Sequence, residues 1–337
     1  MNGDSGPYGD KPYDLVLEGG GVKGVGLVGA VVTLAEQGWR PRRIAGVSAG
    51  AITGAVLAGL QRSGEDPGRL REILDTLDMA KFRDEGRLGK LFGMVGNVFD
   101  FLLSEGLYKG DYLTDWLDGV LGDLGVRTWA DLRCPPDPES DAPAAHWYRL
   151  VVGVSDLSRR TSVLLPWQYD QYDLPADEMP VAQAVRASAS LPFFFRPVEL
   201  GCGNGGTVTL GDGGLLSNYP IGIFDRTDGK RPRWPTFGVK LSAKEIVPPA
   251  EPLHGPFGYA MGVVETLITG HDAQHVNDPC SVSRTIFVDT LGIPATRFEL
   301  REEVREELYA NGVAGATSFL DSWDWTRWLE TCKGQAV

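Results

Sequence analysis

The stretch YDLVLEGGGVKGVGLVGAVVTLAEQG, residues 13–38, decides the fold. It begins with a short run of strand-forming residues, passes through a glycine-rich turn, and continues with small and apolar residues up to Gly38. The next stretch, RRIAGVSAGAITGAVLAGLQ at 42–61, repeats the same order of strand, turn and helix. Two consecutive units of this kind predict a parallel β-sheet that is covered by helices, the α/β fold class.

Later segments carry patterns that extend this arrangement. Strands are predicted at 148–154, 161–165, 207–210, 236–241 and 285–288, and helices at 111–124, 180–190, 297–310 and 316–331. Beyond the two opening units the sequence contains no internal repeat and no clear linker. We therefore expect one α/β domain over residues 13–331, preceded by a flexible lead-in at residues 1–12.

Residues 67–128 are predicted to be helical and to form a lid or a membrane-contact region within that domain. Between residues 81 and 103, apolar residues recur at helical spacing, with basic residues before and among them. An amphipathic helix with basic flanks can lie on a membrane or close over an acyl pocket. The alternative is an ordinary helix that packs on the core.

The composition is that of an acidic globular protein. Of the 337 residues, 42% are hydrophobic and 23% are charged, and 32 basic against 45 acidic residues give a net charge of −13. Phosphate repels such a protein, so nucleic acid is not an expected partner. The N-terminus shows no basic and apolar leader, which predicts a cytoplasmic or peripheral membrane protein and leaves export without a signal peptide open.

Cysteine spacing gives no sign of a metal site, and histidine spacing hints at a metal pair that no further motif supports. The four cysteines stand at 134, 202, 280 and 332 with no C-x-x-C pair, so reduced thiols are expected rather than a zinc site or a disulfide framework. His271 and His275 would share a face of a helix, but no carboxylate-bearing metal motif surrounds them.

The first candidate site is Gly46-Val47-Ser48-Ala49-Gly50, between a predicted strand and a predicted helix. A G-x-S-x-G turn in that position raises the serine oxygen above the edge of the sheet, and small neighbours are required because the backbone is crowded. The amides at the helix N-terminus also help to stabilise an oxyanion. Ser48 is therefore a candidate nucleophile. The alternative is a turn that only opens a buried helix.

The second candidate site is the loop Gly19–Gly24, GGGVKG. Glycines between a strand and a helix present bare N–H groups to an anion, either a phosphate or a developing oxyanion. The loop formally satisfies G-x-G-x-x-G, so an NADP-type nucleotide-binding protein is an alternative. Against a dinucleotide site, the region where a ribose-binding acid is expected holds arginines at 40, 42 and 43.

The third candidate is Asp212, which stands between glycines directly after a predicted strand. It is either an ordinary turn residue or a carboxylate at the edge of the sheet beside Ser48. A partly desolvated carboxyl group has a raised pKa and can accept the proton of a serine hydroxyl. A conventional triad would instead need a later histidine, and the chain offers His254, His271 and His275.

In this order, the three sites resemble the patatin-like phospholipase family. The matching segments, within residues 13–320, are LVLEGGGVKG (15–24), GVSAG (46–50), VVGVSDL (151–157), AVRASASLPFFFRPV (184–198) and LGDGGLLSNYP (210–220). The ordered set is far more specific than the G-x-S-x-G turn alone. The resemblance implies a three-layer α/β/α sandwich with a mostly parallel central sheet.

The resemblance also implies a catalytic dyad without histidine, in which Ser48 is the nucleophile and Asp212 the general base. It places the oxyanion hole in the glycine-rich loop, chiefly at the amides of Gly20 and Gly21. The loop residues are Gly19, Gly20, Gly21, Val22, Lys23 and Gly24, with a lysine where the family usually has arginine. Gly46, Gly50, Gly213 and Gly214 complete the elbow and the Asp-Gly-Gly motif. No cofactor or metal is implied.

Members of the family hydrolyse acyl esters of phospholipids or neutral lipids. The resemblance therefore implies a serine lipid acyl hydrolase, a phospholipase A or an esterase, that meets its lipid substrate at a membrane surface. An activating protein partner is compatible with this interpretation. The alternative on the same fold is a catalytically silent lipid-binding protein. The head group, the acyl position and the oligomeric state do not follow from the sequence.

Overall fold

A mixed β-sheet flanked by helices organises the protein. The computed structural model describes residues 10–78, 110–241, 252–253, 255–276, 278–293 and 300–334. In that part of the chain the sheet has eight strands: β1 Lys11–Leu17, β2 Trp39–Val47, β3 Leu150–Asp156, β4 Thr161–Leu165, β5 Val198–Gly201, β6 Thr207–Asp212, β7 Thr236–Lys240 and β8 Thr285–Phe287.

The opening of the chain folds as two strand–turn–helix units, which confirms the prediction from residues 13–61. The α-helices of the described residues are α1 Val25–Glu36, α2 Ala49–Ser63, α3 Arg69–Asp75, α4 Asp111–Asp123, α5 Val181–Ser188, α6 Gly255–Val276, α7 Pro279–Val282, α8 Glu302–Ser322 and α9 Trp325–Lys333. Helix α6 and strand β5 were not predicted from the sequence.

The centre of the sheet is parallel. Strand β1 pairs in parallel with β2 on one side and β7 on the other, and β2 continues to β3 as β7 continues to β8. Leu15 and Leu17 of β1 join the main core, whereas Val16 points to the opposite face and packs with Tyr219 and Phe224. Both faces of β1 are therefore covered, as parallel strands require.

One side of the sheet is antiparallel. Strand β4 returns beside β3 after a turn of four residues, and β5 and β6 form a second antiparallel pair. Short connections permit only antiparallel neighbours, because a parallel return needs a crossover of a dozen or more residues. The predicted α/β fold is confirmed, with a sheet that is parallel at its centre and mixed as a whole.

The C-terminal helices differ from the prediction. Sequence analysis predicts two helices at 297–310 and 316–331, but the structure has one helix, α8, that runs through residues 311–315 and then a separate helix α9. In the structure a β-carbon at Gly312 would lie 2.1 Å from the carbonyl oxygen of Gly26, so this glycine lets α8 approach α1 closely.

A disulfide joins Cys280 to Cys332, with 5.5 Å between their α-carbons. The expectation of reduced thiols is wrong for this pair. A separation of 52 residues carries no signal in the sequence, and only folding brings α7 and α9 together. Cys134 and Cys202 remain free thiols.

The predicted lid region is described only at its two ends. Helices α3 and α4 lie at those ends, and Leu113, Leu117 and Leu121 of α4 are buried in the core. The amphipathic pattern between residues 81 and 103 lies outside the described residues, as do residues 1–9 of the lead-in. Among the described helices, none combines the length and apolar character needed to cross a bilayer.

Candidate active site

Ser48 occupies a sharp turn between the end of β2 and the start of α2. Its backbone has φ 52° and ψ −120°, a conformation that a non-glycine residue adopts only under strain. A β-carbon at Gly46 would lie 2.3 Å from the carbonyl oxygen of Gly50, and one at Gly50 would lie 2.4 Å from that of Leu17. The predicted elbow is present, and its glycines are required by close backbone contacts.

Asp212 reaches the elbow because β2 and β6 share one edge of β3. Gly153 pairs with Val47 of β2, and the next residue, Val154, pairs with Asp212 of β6. Both of these β3 residues also pair with β4, which must lie on the opposite edge. Strands β2 and β6 therefore meet end to end, and the residues at their junction are Ser48 and Asp212.

The two side chains are in direct contact. The hydroxyl oxygen Oγ of Ser48 donates a hydrogen bond of 2.8 Å to Oδ2 of Asp212. The amide of Gly214 donates to Oδ1 of Asp212 at 2.8 Å. Asp212 is 1% exposed. Burial raises the pKa of its carboxyl group to about 6, although the hydrogen bonds from Ser48 and Gly214 act to lower it.

Histidine does not contact this pair within the described residues. His146 stacks on the indole of Trp167, with 4.8 Å between the ring centroids. His254 and the side chains of His271 and His275 lie outside what the structure describes. The hydrogen-bond partners of the Ser48 side chain and amide are Asp212 and Ser188.

The glycine-rich loop lies beside Ser48 and forms a short 3₁₀ helix, Gly21–Gly24. The amide of Lys23 donates to the carbonyl of Gly20 at 3.2 Å, which tightens the turn. In the described part of the chain, no carbonyl accepts the amides of Gly20 or Gly21, both of which line the same cavity as Ser48. Lys23 does not line that cavity.

Asn218 holds the loop against the Asp-Gly-Gly turn. The side-chain nitrogen Nδ2 of Asn218 donates to the carbonyl of Gly19 at 3.2 Å, and the backbone carbonyl of Asn218 accepts a hydrogen bond from the Gly19 amide at 3.3 Å. A β-carbon at Gly19 or Gly214 would lie 2.2 or 2.8 Å from Oδ1 of Asn218. Sequence reasoning quoted Asn218 within LLSNYP but gave it no role. The sequence shows only that Asn218 follows the Asp-Gly-Gly motif by four residues, and its contact with Gly19 spans 199 residues.

A buried ion pair fixes the start of the loop. Glu18 and Lys240 contact each other through Oε1 and Nζ, and their side chains are each 4% exposed. The second carboxylate oxygen of Glu18 accepts the amide of Leu241. Glu18 directly follows β1 in the sequence, but nothing in the sequence indicates its partner 222 residues away.

Ser188 and Ser190, just before Leu191 and Pro192, form hydrogen bonds with the backbone amides of Ser48 and Asp212. Ser188 accepts the Ser48 amide at 2.9 Å and donates to the carbonyl of Gly153 at 2.6 Å. The carbonyl of Ser190 accepts the Asp212 amide at 3.0 Å. The segment AVRASASLPFFFRPV was recognised from the sequence, but the individual role of its serines was not.

Arg186 stabilises this segment through hydrogen bonds from its side chain. Its buried guanidinium donates to the hydroxyl of Ser190, to the carbonyl of Gly110 at 3.2 Å and to that of Arg196 at 3.0 Å. It also lies 5.4 Å from the centroid of the Phe195 ring. Arg186 therefore connects the anchor of Asp212 to a wall of the cavity that contains Phe195.

A cavity of about 610 Å³ opens beside the Ser48–Asp212 pair. Its wall is mostly apolar and comes from α1, α2, α3, α4, α6 and the loop after α5: Val25, Val28, Ile52, Leu74, Leu77, Leu113, Leu191, Phe195 and Ile268. Within the described residues, no cluster of three histidine, cysteine or acidic side chains could hold a metal ion.

Comparisons with known proteins show which family the chain resembles. A family model described as patatin-like phospholipase matches residues 15–225, a span that contains the glycine-rich loop, the elbow and Asp212. The chain is also 34% identical over 310 residues to the uncharacterized protein YqhO of Bacillus subtilis (strain 168). That match covers 92% of this chain and 98% of YqhO.

Two more distant matches concern part of the sequence and the fold. Triacylglycerol lipase 4 of Saccharomyces cerevisiae is 32% identical over 113 residues, which is 34% of this chain and 12% of that protein. The crystal structure of VipD from Legionella pneumophila superposes with a TM-score of 0.50 at 16% identity, over 93% of this chain and 67% of VipD. The similarity to VipD concerns the fold alone.

Proposed function

The chain belongs to the patatin-like phospholipase family, a family of lipid hydrolases, and from that premise we propose that it is a serine lipid acyl hydrolase. Ser48 is the nucleophile and Asp212 is its general base. The observation that carries this proposal is the 2.8 Å hydrogen bond between Ser48 Oγ and Asp212 Oδ2 beside an apolar cavity.

Acylation begins when Asp212 takes the proton of Ser48 and the serine oxygen attacks the ester carbonyl. The C=O bond opens to a tetrahedral oxyanion, which accepts hydrogen bonds from the amides of Gly20 and Gly21. The oxyanion then collapses, the ester C–O bond breaks, and the alcohol leaves with the proton from Asp212. The buried Asp212 carboxyl suits this exchange, because its pKa of about 6 lies between that of a free carboxyl and neutrality.

Deacylation repeats the sequence with water. Asp212 accepts a proton from water as the hydroxyl attacks the acyl-serine, and the same two amides hold the second oxyanion. The fatty acid leaves when the bond to Ser48 Oγ breaks and Asp212 returns the proton to the serine.

The cavity supports an acyl ester of a lipid as the substrate. Its apolar wall removes a hydrocarbon chain from water, which is worth about 0.8 kcal/mol per buried methylene group. The partial match to a protein named triacylglycerol lipase supports the same class of bond. A membrane surface is the natural source of such a substrate. An activating protein partner is also part of the proposal, so hydrolysis is to be measured with the protein alone and with cell extract added.

Labelling by a fluorophosphonate probe, located by peptide mass spectrometry, tests the proposal. Wild type is expected to react at Ser48, Ser48→Ala is expected not to react, and Asp212→Asn is expected to react at least about 100-fold more slowly. Ser63→Ala is the matched control, because Ser63 lies on the same helix α2, its hydroxyl donates to the carbonyl of Leu60, and it does not line the cavity.

The other outcomes assign the site differently. Labelling that survives Asp212→Asn but is lost when His254, His271 or His275 is replaced would establish a conventional triad. Absence of an adduct on folded protein, with or without extract, together with binding of NADP would return the loop Gly19–Gly24 to a nucleotide-binding role.

A further inference from the structure

The mouth of the catalytic cavity carries charges of both signs. Arg71 and Asp75 on α3 and Arg305 on α8 line it, together with Asp78 just after α3. Arg305 Nη2 lies 2.5 Å from Asp75 Oδ1, and Arg71 Nε lies 3.7 Å from Asp75 Oδ2. Arg71 also pairs with Glu306 of α8. We refer to Arg71, Asp75 and Arg305 as the charged rim.

The rim and the cavity wall divide the site into two chemical zones. Residues deeper in the cavity are apolar, and Val28 and Leu113 among them are fully buried. The rim side chains remain 31–46% exposed. This division matches a lipid whose acyl chain enters the wall zone while its polar end stays at the rim.

The rim pairs are suited to exchange partners. Exposed ion pairs contribute little net stability, because water and salt screen them. A guanidinium can therefore leave Asp75 for a phosphodiester, which it binds through two parallel N–H···O bonds. The carboxylate of Asp75 then needs a new cation, or its charge stays unpaired beside the ligand, whereas Glu306 can keep Arg71 because that guanidinium has further N–H groups.

Three kinds of polar end would meet this rim differently. An uncharged glyceride would leave the existing pairs as they are and gain nothing from them. A purely anionic head group would gain Arg71 and Arg305 but would face the carboxylates of Asp75 and Asp78. A zwitterionic head group supplies a phosphodiester that the guanidinium groups can bind and an ammonium group that can replace the guanidinium beside Asp75.

We propose that the charged rim selects zwitterionic phospholipids, with the phosphodiester on Arg71 and Arg305 and the ammonium group on Asp75. The proposal rests on the hydrolase function proposed above and adds its substrate class. It concerns recognition of the head group at the rim and leaves the chemistry at Ser48 unchanged.

The test compares initial rates on phosphatidylethanolamine, phosphatidylglycerol and diacylglycerol with the same acyl chains, each in neutral detergent micelles. Every rate is divided by that variant's rate on a short, uncharged p-nitrophenyl ester. Wild type is expected to prefer phosphatidylethanolamine over the other two by about tenfold, the size of one charge-assisted contact. The preference is expected to fall as salt is added.

Arg305→Gln and Asp75→Asn separate the two halves of the exchange. Arg305→Gln is expected to reduce phosphatidylethanolamine hydrolysis about tenfold while diacylglycerol changes little. Asp75→Asn is expected to move the preference toward phosphatidylglycerol, because it removes the partner of the ammonium group. Arg301→Gln is the matched control, since Arg301 is exposed at the start of α8 and does not line the cavity.

Two results would overturn the proposal in distinguishable ways. Equal wild-type rates on the two phospholipids, or unchanged ratios in both variants, would remove the rim's role while ester hydrolysis remains. Failure of wild type to hydrolyse the p-nitrophenyl ester and to react with the fluorophosphonate would remove the proposed function and the rim proposal together.

Discussion

At the scale of single residues, the carboxyl group of Asp212 lies where a negative charge is costly to folding. Asp212 is 1% exposed. Within the described residues, hydrogen bonds from the Ser48 hydroxyl and the Gly214 amide partly offset the cost of burying its charge. Burial favours the neutral acid, so the pKa is raised to about 6. The same cost makes the carboxylate a better proton acceptor than an aspartate in water.

The pH dependence of catalysis follows from that pKa. Asp212 must be ionised to accept the serine proton, so kcat/KM is expected to rise through about pH 6 and to level off above it. The measurement is hydrolysis of a short uncharged ester of an aliphatic alcohol across about pH 5 to 8, where neither the ester nor the released alcohol titrates. A rate that already levels off near the ordinary aspartate value would contradict the assignment of Asp212 as base.

The pH dependence of stability has the opposite sign. Because the folded pKa is raised from 3.8 to about 6, this group's favourable contribution is complete below 3.8 and is lost as the pH rises through about 6. Asp212→Asn removes the buried charge. At about pH 8 it is expected to be more stable than wild type by on the order of 3 kcal/mol, and near pH 4 the difference should vanish.

Urea unfolding at the two pH values measures this difference. Ser48→Ala serves as the control, because it keeps the buried carboxyl group and should retain the wild-type pH dependence. Equal pH dependence in wild type and Asp212→Asn would show that the carboxyl group is not desolvated.

At the scale of secondary-structure elements, the junction of β2 and β6 depends on close packing against β3. A β-carbon at Gly213 would lie 2.2 Å from the carbonyl oxygen of Gly153 and 3.0 Å from Val47. Gly213→Ala is therefore expected to force the end of β6 away from β3, to weaken the Ser48–Asp212 hydrogen bond and to lower stability by about 1–3 kcal/mol.

Fluorophosphonate labelling and thermal unfolding of Gly213→Ala measure both effects. Gly201→Ala is the matched control on the neighbouring strand β5, since no heavy atom lies within 4 Å of its added β-carbon. Unimpaired labelling of Gly213→Ala at Ser48 would mean that the end-to-end contact of the strands is not needed for the dyad.

The segment after α5 makes a second prediction at this scale. Arg186→Lys keeps the positive charge but cannot span the three acceptors that the guanidinium reaches. We expect Ser48 to react about tenfold more slowly even with a small fluorophosphonate, because the anchor of Asp212 at Ser190 loosens. A defect seen only with a long-chain probe would restrict Arg186 to the cavity wall. Exposed Arg160→Lys is the control.

At the scale of the whole molecule, the disulfide Cys280–Cys332 connects the short helix α7 to the last helix, α9. It closes a loop of 52 residues, which in the chain-entropy account constrains the unfolded state by about 4 kcal/mol at most. Trp328 on α9 adds a hydrogen bond of 3.2 Å to the carbonyl of Cys280.

Replacing both cysteines by alanine is expected to lower the free energy of unfolding by about 2–4 kcal/mol without loss of Ser48 labelling, since neither cysteine lines the cavity. Urea unfolding with and without reductant measures the effect, and Cys134→Ala is the control. Identical midpoints under oxidising and reducing conditions would mean that the thiols are not joined in solution.

Patterns within short stretches of sequence predicted the structural features that are formed by neighbouring residues. The elbow at Ser48, the loop Gly19–Gly24 and the strands on either side follow from glycines and apolar runs within a few residues of each other. What the sequence could not show are contacts between distant positions. Glu18 pairs with Lys240, 222 residues away, and Gly19 is hydrogen-bonded to Asn218, 199 residues away. The amide of Ser48 donates to the hydroxyl of Ser188, 140 residues away.

The same limit explains the errors. The continuity of α8 through residues 311–315 was missed because the packing of Gly312 on α1 joins positions that are far apart in the sequence. The cysteine pair looked unremarkable because its spacing resembles no compact motif. That Asp212 reaches Ser48 was inferred from family resemblance, whereas its physical cause is the shared edge of β3, which no single stretch of sequence contains.

The meeting of β2 and β6 also bears on how the protein is made. Ser48 and the glycine-rich loop are synthesised long before Asp212, which follows Ser48 by 164 residues. Under the proposed dyad, a nascent or truncated chain that ends before Asp212 carries half of the catalytic pair and is expected to be inactive. Two fragments divided within the polar loop at 134–145 are each expected to be inactive until they reassociate. The proposed hydrolysis would then serve as a reporter of assembly.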